Sequence, residues 1–181
     1  MGNTSTQILD AAESMIRDGG YYGFSFRQIA DQLEIKSASV HYHYPTKEAL
    51  ATAVAERFTD RFMQALGDPT RKNPIKHYTT LFQGTIESDG RACLCGILAG
   101  EMGKLPESVR DLLCQFSDKN IAWLQEAFRT LNKDWTKQRC REAALALFSG
   151  LEGGLTFAAL HGKPDYLKAV AKSLLNLTSA R

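Results

Sequence analysis

Apolar positions recur at helical spacing along almost the whole chain. Ile8, Ala11, Ala12, Met15 and Ile16 mark one face of a first helix, which Gly19-Gly20 brings to a stop. An aromatic segment, Tyr21-Tyr22-Gly23-Phe24, leads to Ser25, whose hydroxyl can accept from the free N–H groups at the start of a new helix. That short helix is predicted to run through Leu33 and to bury Phe26, Ile29, Ala30 and Leu33. A three-residue break, Glu34-Ile35-Lys36, separates it from a second short helix, from about Ser37 to Tyr42. Pro45 then halts the chain, Thr46 can cap, and a longer helix is predicted from Lys47 to about Leu66.

Gly67-Asp68-Pro69-Thr70-Arg71-Lys72-Asn73-Pro74 reads as a hinge, with two prolines, a glycine and a charge cluster. Beyond it the pattern predicts helices over 74–88, 93–104, 106–130, 136–160 and 164–178. Breaks fall at Asp89-Gly90, Leu105-Pro106, Asn132-Lys133-Asp134 and His161-Gly162-Lys163-Pro164. No strand alternation, internal repeat or low-complexity tract interrupts this pattern. The predicted fold is all-α: an N-terminal three-helix helix-turn-helix domain over residues 1–50 and a larger helical domain over 51–181, with 47–66 as the connecting helix.

Composition adds limits. The 181 residues are 44% hydrophobic, enough to bury a core without disulfide or metal staples. No apolar run reads as the roughly 20 residues of a membrane helix. The opening MGNTSTQILDAAES has neither a basic n-region nor an apolar h-region, so a cytoplasmic chain with reduced thiols is expected. The net charge of +2 divides into −2 for residues 1–63 and +4 for 64–181. By the criterion of a basic footprint, the N-terminal third would not touch nucleic acid.

The motif in that third says otherwise. Two short helices joined by a tight turn and packed on a preceding helix describe a unit that lays its second helix in the DNA major groove. Ser37, Ala38 and Ser39 are small enough to approach base edges, Val40 faces inward, and His41, Tyr42 and His43 offer donors to bases and phosphates. Residues 25–50 have zero net charge, so a locally positive surface does not require a basic domain.

The stretches FSFRQIA at 24–30 and LEIKSASVHYHYPTKEAL at 33–50 resemble the DNA-binding domain of the TetR family (AcrR-like) of bacterial transcriptional regulators. The shared pattern is a Ser/Thr-capped helix containing Ile-Ala, a recognition helix ending in Tyr-x-His-Phe, and a Ser/Thr-Lys-Glu-x-Leu helix start. It is specific over residues 5–57. The chain departs from it at Glu34, where Gly is frequent, and at His41, where a Tyr usually contacts phosphate. The resemblance implies phosphate contacts from Ser25, His41 or its neighbour Tyr42, and Lys47. It implies a groove-facing set of Arg27, Ser37, Ala38, Ser39 and His43, Arg27 being able to pair with guanine through two hydrogen bonds.

For the body, segment 136–160 is rich in small residues, and glycine within a helix requires a packing reason. The resemblance implies that this helix and the last pair with their mates in a four-helix dimer interface, using Leu147, Gly150, Leu151, Gly154, Leu167, Val170 and Leu174; an intramolecular core is the alternative. An effector site is expected among the other helices, from Tyr78, Phe82, Leu98, Met102, Phe116, Trp123 and Phe157, with Glu101 and Ser117 as polar handles. Cys93 and Cys95 follow Arg91 at a predicted helix start, which favours the thiolate and makes them candidate redox or electrophile sensors, with inert buried thiols as the alternative. No metal-ligand spacing, cofactor loop or nucleophile–base pair is present, so a small-molecule enzyme carrying a vestigial helix-turn-helix is the weakest reading. The function expected is that of a homodimeric one-component repressor, with a near-palindromic DNA operator and a small organic effector as partners and no membrane role.

Overall fold

The computed structural model describes residues 4–179, and among them only helices and turns occur. The helices are α1 (Thr4–Gly19), α2 (Phe26–Gln32), α3 (Ser37–His43), α4 (Lys47–Leu66), α5 (Pro74–Asp89), α6 (Leu94–Ala99), α7 (Glu107–Leu131), α8 (Lys137–His161) and α9 (Asp165–Ser179). Two 3₁₀ turns, Tyr21–Gly23 and Met102–Lys104, complete the order. The all-α expectation holds. One predicted helix, over 93–104, is divided. The Gly100 N–H is shared between the carbonyls of Gly96 and Ile97, and the Glu101 N–H then bonds back three residues to Leu98. Two glycines four apart weaken the α-ladder there and let it tighten into the 3₁₀ turn.

The chain forms two compact units, neither continuous in sequence. The first comprises residues 1–60 and 94–114, the second 61–93 and 115–181. In the first unit, Ile8, Ala12 and Ile16 of α1 meet Phe24, Phe26, Ile29, Val40, Leu50 and Val54 in one core. Leu94, Leu98, Leu105 and Val109 join the same core, which a linear division near residue 50 does not anticipate.

The second unit contains α5, α8 and α9, with α8 packed on both of the others. The expected close approach at the glycines is found inside the chain. A Cβ on Gly154 would lie 3.3 Å from the Cα of Leu167 and from Val170, and one on Gly150 would lie 2.7 Å from a methyl of Leu174. By length and composition alone, α8 is apolar enough to cross a membrane, contrary to the reading that no segment is. One side of it is buried within the unit through Cys140, Ala144, Leu147, Leu151, Leu155 and Ala158.

Candidate nucleic-acid interface and effector site

The turn between α2 and α3 explains the departure at Glu34. The Ile35 N–H bonds to the carbonyl of Ala30 and the Glu34 N–H to that of Asp31, a Schellman closure of α2 that holds Glu34 at φ +53°. Glycine accepts that left-handed conformation at no steric cost, which is why it suits this position. Upstream, the Ser25 hydroxyl caps α2 by accepting from the Gln28 N–H at 3.3 Å. Downstream, the Thr46 hydroxyl accepts from the Ala49 N–H at the start of α4.

This frame directs α3 outward on one side. Val40 is buried, while Ser37, Ala38 and His41 are exposed and Ser39 and His43 half-buried. Tyr42 is 85% exposed, a high value for a ring of that size. The His41 ring rests edge-on against Phe26 at 4.6 Å, and Tyr42 and His43 meet at 5.3 Å, so the aromatic donors are held by packing. Arg27 extends from α2 with its side chain 90% exposed, only loosely drawn to Asp31 at 3.9 Å. Tyr44 bonds through its hydroxyl to Ser5 and so belongs to the scaffold.

Lys47 differs from its expected role. Its ammonium donates to the carbonyl of Phe24 at 2.6 Å and lies over the rings of Phe24, Tyr21 and Tyr22 at 4.5, 5.1 and 5.6 Å. Burial lowers its pKa, partly offset by the carboxylate of Glu101. Glu101 accepts from the Tyr21 N–H at 2.7 Å, and the Tyr22 hydroxyl donates to the Lys104 carbonyl at 2.7 Å. The half-buried ammonium is thus a tie between the aromatic segment and α4.

Of the expected effector residues, Tyr78, Phe82, Phe116 and Trp123 come together in the second unit. Tyr78 lies 5.3 Å from Phe82 and 5.6 Å from Trp123, and Phe62, which the sequence reading missed, touches Tyr78, Phe82 and Phe116 at 5.6–6.2 Å. Phe148, also missed, extends the cluster from Phe116 at 6.1 Å. The Tyr78 hydroxyl donates to Asn120 at 2.7 Å, Asn120 donates to the Phe116 carbonyl, and Trp123 donates to the Gly67 carbonyl. One turn after Phe148 stands Glu152, the one charged residue between Ala143 and Leu160. Its isolation in an apolar run was the signal for it. Both of its carboxyl oxygens are buried without a hydrogen-bond partner. Burial raises its pKa well above the ordinary value, and the neighbouring Cys93 thiol raises it further.

The other expected effector residues lie elsewhere. Leu98 is in the core of the first unit, where α6 packs on α1, and Glu101 is committed to Tyr21. Met102 is exposed on the 3₁₀ turn that divides the predicted helix. Phe157 is 53% exposed and stacks on Tyr166 at 6.5 Å, because its position on α8 faces away from the buried side.

The helix-turn-helix has counterparts. The sequence model of the family described as "Bacterial regulatory proteins, tetR family" matches residues 8–54. The HTH-type transcriptional regulator LmrA of Bacillus subtilis is 26% identical over 164 residues, 85% of each chain. The transcriptional repressor KstR2 of Mycolicibacterium smegmatis is 31% identical over 86 residues, 45% of this chain and 41% of that one. The solved TetR transcriptional regulator of Legionella pneumophila shares 30% identity over 98% of both chains, with a TM-score of 0.89. The chain belongs to the TetR family. It is a DNA-binding transcriptional regulator of the all-α TetR fold, and α3 is the second helix of its helix-turn-helix.

Within this TetR chain, several expected dimer contacts are already used internally. Leu147, Leu151 and Leu167 are fully buried, and Gly150 and Gly154 accommodate Leu174 and Val170 of the same chain. A side chain with no exposed surface has none to give a partner, so these residues hold α8 to α9. The exposed side of α8 carries instead Leu145, Ala146, Ser149, Gly153, Phe157 and Leu160, with Tyr166 beside it on α9. Cys93 and Cys95 are buried, Arg91 is engaged with Asp89 at 3.2 Å, and the group next to Cys93 is the carboxyl of Glu152. Burial leaves both thiols little access to an oxidant or electrophile.

Proposed function

We propose that this chain is a homodimeric one-component repressor that binds a near-palindromic operator and is released from it by a small organic effector. The observation that carries the operator reading is the outward face of α3, where small and donor-bearing side chains are exposed on a helix fixed from behind by Val40 and Phe26. Residues 1–50 would read DNA: Arg27, Ser37, Ala38, Ser39 and His43 in the groove, and Ser25, His41, Tyr42 and the α4 amides on phosphates. Residues 51–181 would hold the effector, at Tyr78, Phe82, Phe116 and Trp123, and the dimer contact. The apolar outer side of α8 with Tyr166 of α9 supports dimerisation, since exposed Leu160 (72%) and Phe157 on one face suit a two-fold, self-complementary contact. Helix α4 has residues in both units, so effector binding that moved it would change the spacing of the two recognition helices. As a regulator it would act in the cytoplasm and catalyse no reaction. The thiol-sensing alternative has less support, because both cysteines concerned are buried.

Selection of genomic DNA fragments on the full chain, followed by footprinting, tests the reading. A protected, near-palindromic site is expected. Ala38→Glu sets a carboxylate against the phosphates on an exposed position and should weaken that site by about 100-fold with unchanged thermal stability. Undiminished binding by that variant would remove α3 from the interface.

A further inference from the structure

The aromatic cluster of the second unit contains a group that its own packing does not explain. Within the cluster three other buried polar groups are paired: the Tyr78 hydroxyl on Asn120, the Asn120 amide on Phe116, the Trp123 indole on Gly67. The two oxygens of Glu152 are buried with no hydrogen bond of good geometry, the polar group beside them being the Cys93 thiol, a weak donor; leaving a carboxyl so is costly where a leucine would suit an apolar helix better. Six rings assemble on this side of the unit: Phe62, Tyr78, Phe82, Phe116, Trp123 and Phe148. The face of an aromatic ring is its negative side, so rings and carboxyl together favour a cation.

Resting on the effector reading above, we infer that the effector is a lipophilic organic monocation bearing an N–H donor, a protonated amine whose apolar body lies on this aromatic cluster and whose ammonium donates to Glu152. An anion would meet the carboxyl unfavourably, and a neutral apolar molecule would leave both oxygens unsatisfied. A quaternary ammonium would satisfy the charge and leave the acceptors without donors. The titratable groups that act on the carboxyl are the Cys93 thiol and, through its own coupling to Glu152, the Tyr78 phenol; both bear on it as acids, and neither supplies a positive charge. Burial disfavours the carboxylate and an ammonium beside it favours it, so binding moves the carboxyl towards ionisation: the proton it holds passes to buffer as the ammonium pairs with the carboxylate.

Three probes of matched size separate the cases: 2-phenylethylamine, 2-phenylethanol and 3-phenylpropanoate, titrated calorimetrically into the full chain at neutral pH in two buffers of different ionisation enthalpy. The amine should bind at least about tenfold more tightly than the alcohol or the acid, with net release of protons to buffer. In Glu152→Gln the preference and the proton release should both vanish while the far-UV spectrum is unchanged. The comparison among probes on the unaltered chain stands whether or not the variant folds. Equal or tighter binding of the alcohol or the acid, or a preference that survives in Glu152→Gln, would overturn the cationic assignment and leave the effector site standing. Binding of no probe would overturn both.

Discussion

The two units treat buried charge in opposite ways. In the first, Lys47 is tied to the Phe24 carbonyl and held near Glu101, and Arg57 bridges Asp10 at 2.7 Å and Glu13 at 2.9 Å. In the second, the carboxyl oxygens of Glu152 are buried with no hydrogen bond of good geometry, beside the Cys93 thiol and coupled to the Tyr78 phenol. Matched charges fix one geometry, which a helix that must meet base edges in register requires. An unmatched one leaves free energy to be recovered when a partner arrives, which suits a site that must respond. The difference sets a first unit whose cations are held by carboxylates and a backbone carbonyl against a second unit whose buried carboxyl has no such partner, in keeping with the DNA-reading and effector roles proposed above.

Four experiments would break or sharpen that contrast. Lys47→Met should cost the chain about 2 kcal/mol in urea unfolding, the scale of a hydrogen bond to a charged group. Loss of DNA affinity at full stability would instead return the ammonium to the phosphate surface. Within α8, Gly154→Leu should destabilise by about 1–3 kcal/mol, because its side chain would enter the contact with Leu167 and Val170. Gly153→Leu, whose Cβ would meet only open space in a single chain, should leave stability intact and shift the sedimenting species towards monomer. A stable dimer of Gly153→Leu would move the interface off that face.

The third experiment concerns pH. A carboxyl whose folded pKa is raised binds its proton more tightly folded than unfolded, so stability falls as pH rises from the unfolded value near 4.5 towards the folded one. The slope due to Glu152 is at most about 1.4 kcal/mol per pH unit, and it should disappear from the urea-unfolding profile of Glu152→Gln. A profile unchanged by that substitution would show the carboxyl to be solvated. The smallest effect belongs to the turn: Glu34→Gly should stabilise by about 0.5–1 kcal/mol, as relief of the left-handed strain outweighs the added freedom of the unfolded chain. Destabilisation would mean that Glu34 makes a compensating contact.

Much of the head was legible because its signals are local. The Ser25 and Thr46 caps, the break at Glu34 and the inward Val40 each depend on a few neighbouring residues, and each stands where the periodicity and cap chemistry predict. The internal contacts of Lys47 were not legible because its partners, Phe24 and Glu101, are 23 and 54 residues away, and nothing near it in the chain shows which way the ammonium turns. In the body, periodicity found the helices but not their mates. Tyr78, Phe82, Phe116 and Trp123 share a cluster, whereas Leu98 and Glu101, equally plausible by pattern, belong to the other unit.

The sequence by itself determined the all-α class, the order and ends of most helices, and the recognition helix with its exposed small and donor residues. These follow from interactions within one or two turns, where covalent geometry keeps the partners close. Only the tertiary structure decided that α6 serves the N-terminal core, that the glycines of α8 receive α9 of the same chain, and that the Glu152 carboxyl is buried next to Cys93 and coupled to Tyr78. An amphipathic helix shows that one face must be covered. It does not name the surface that covers it, because apolar burial is non-directional and many faces would serve.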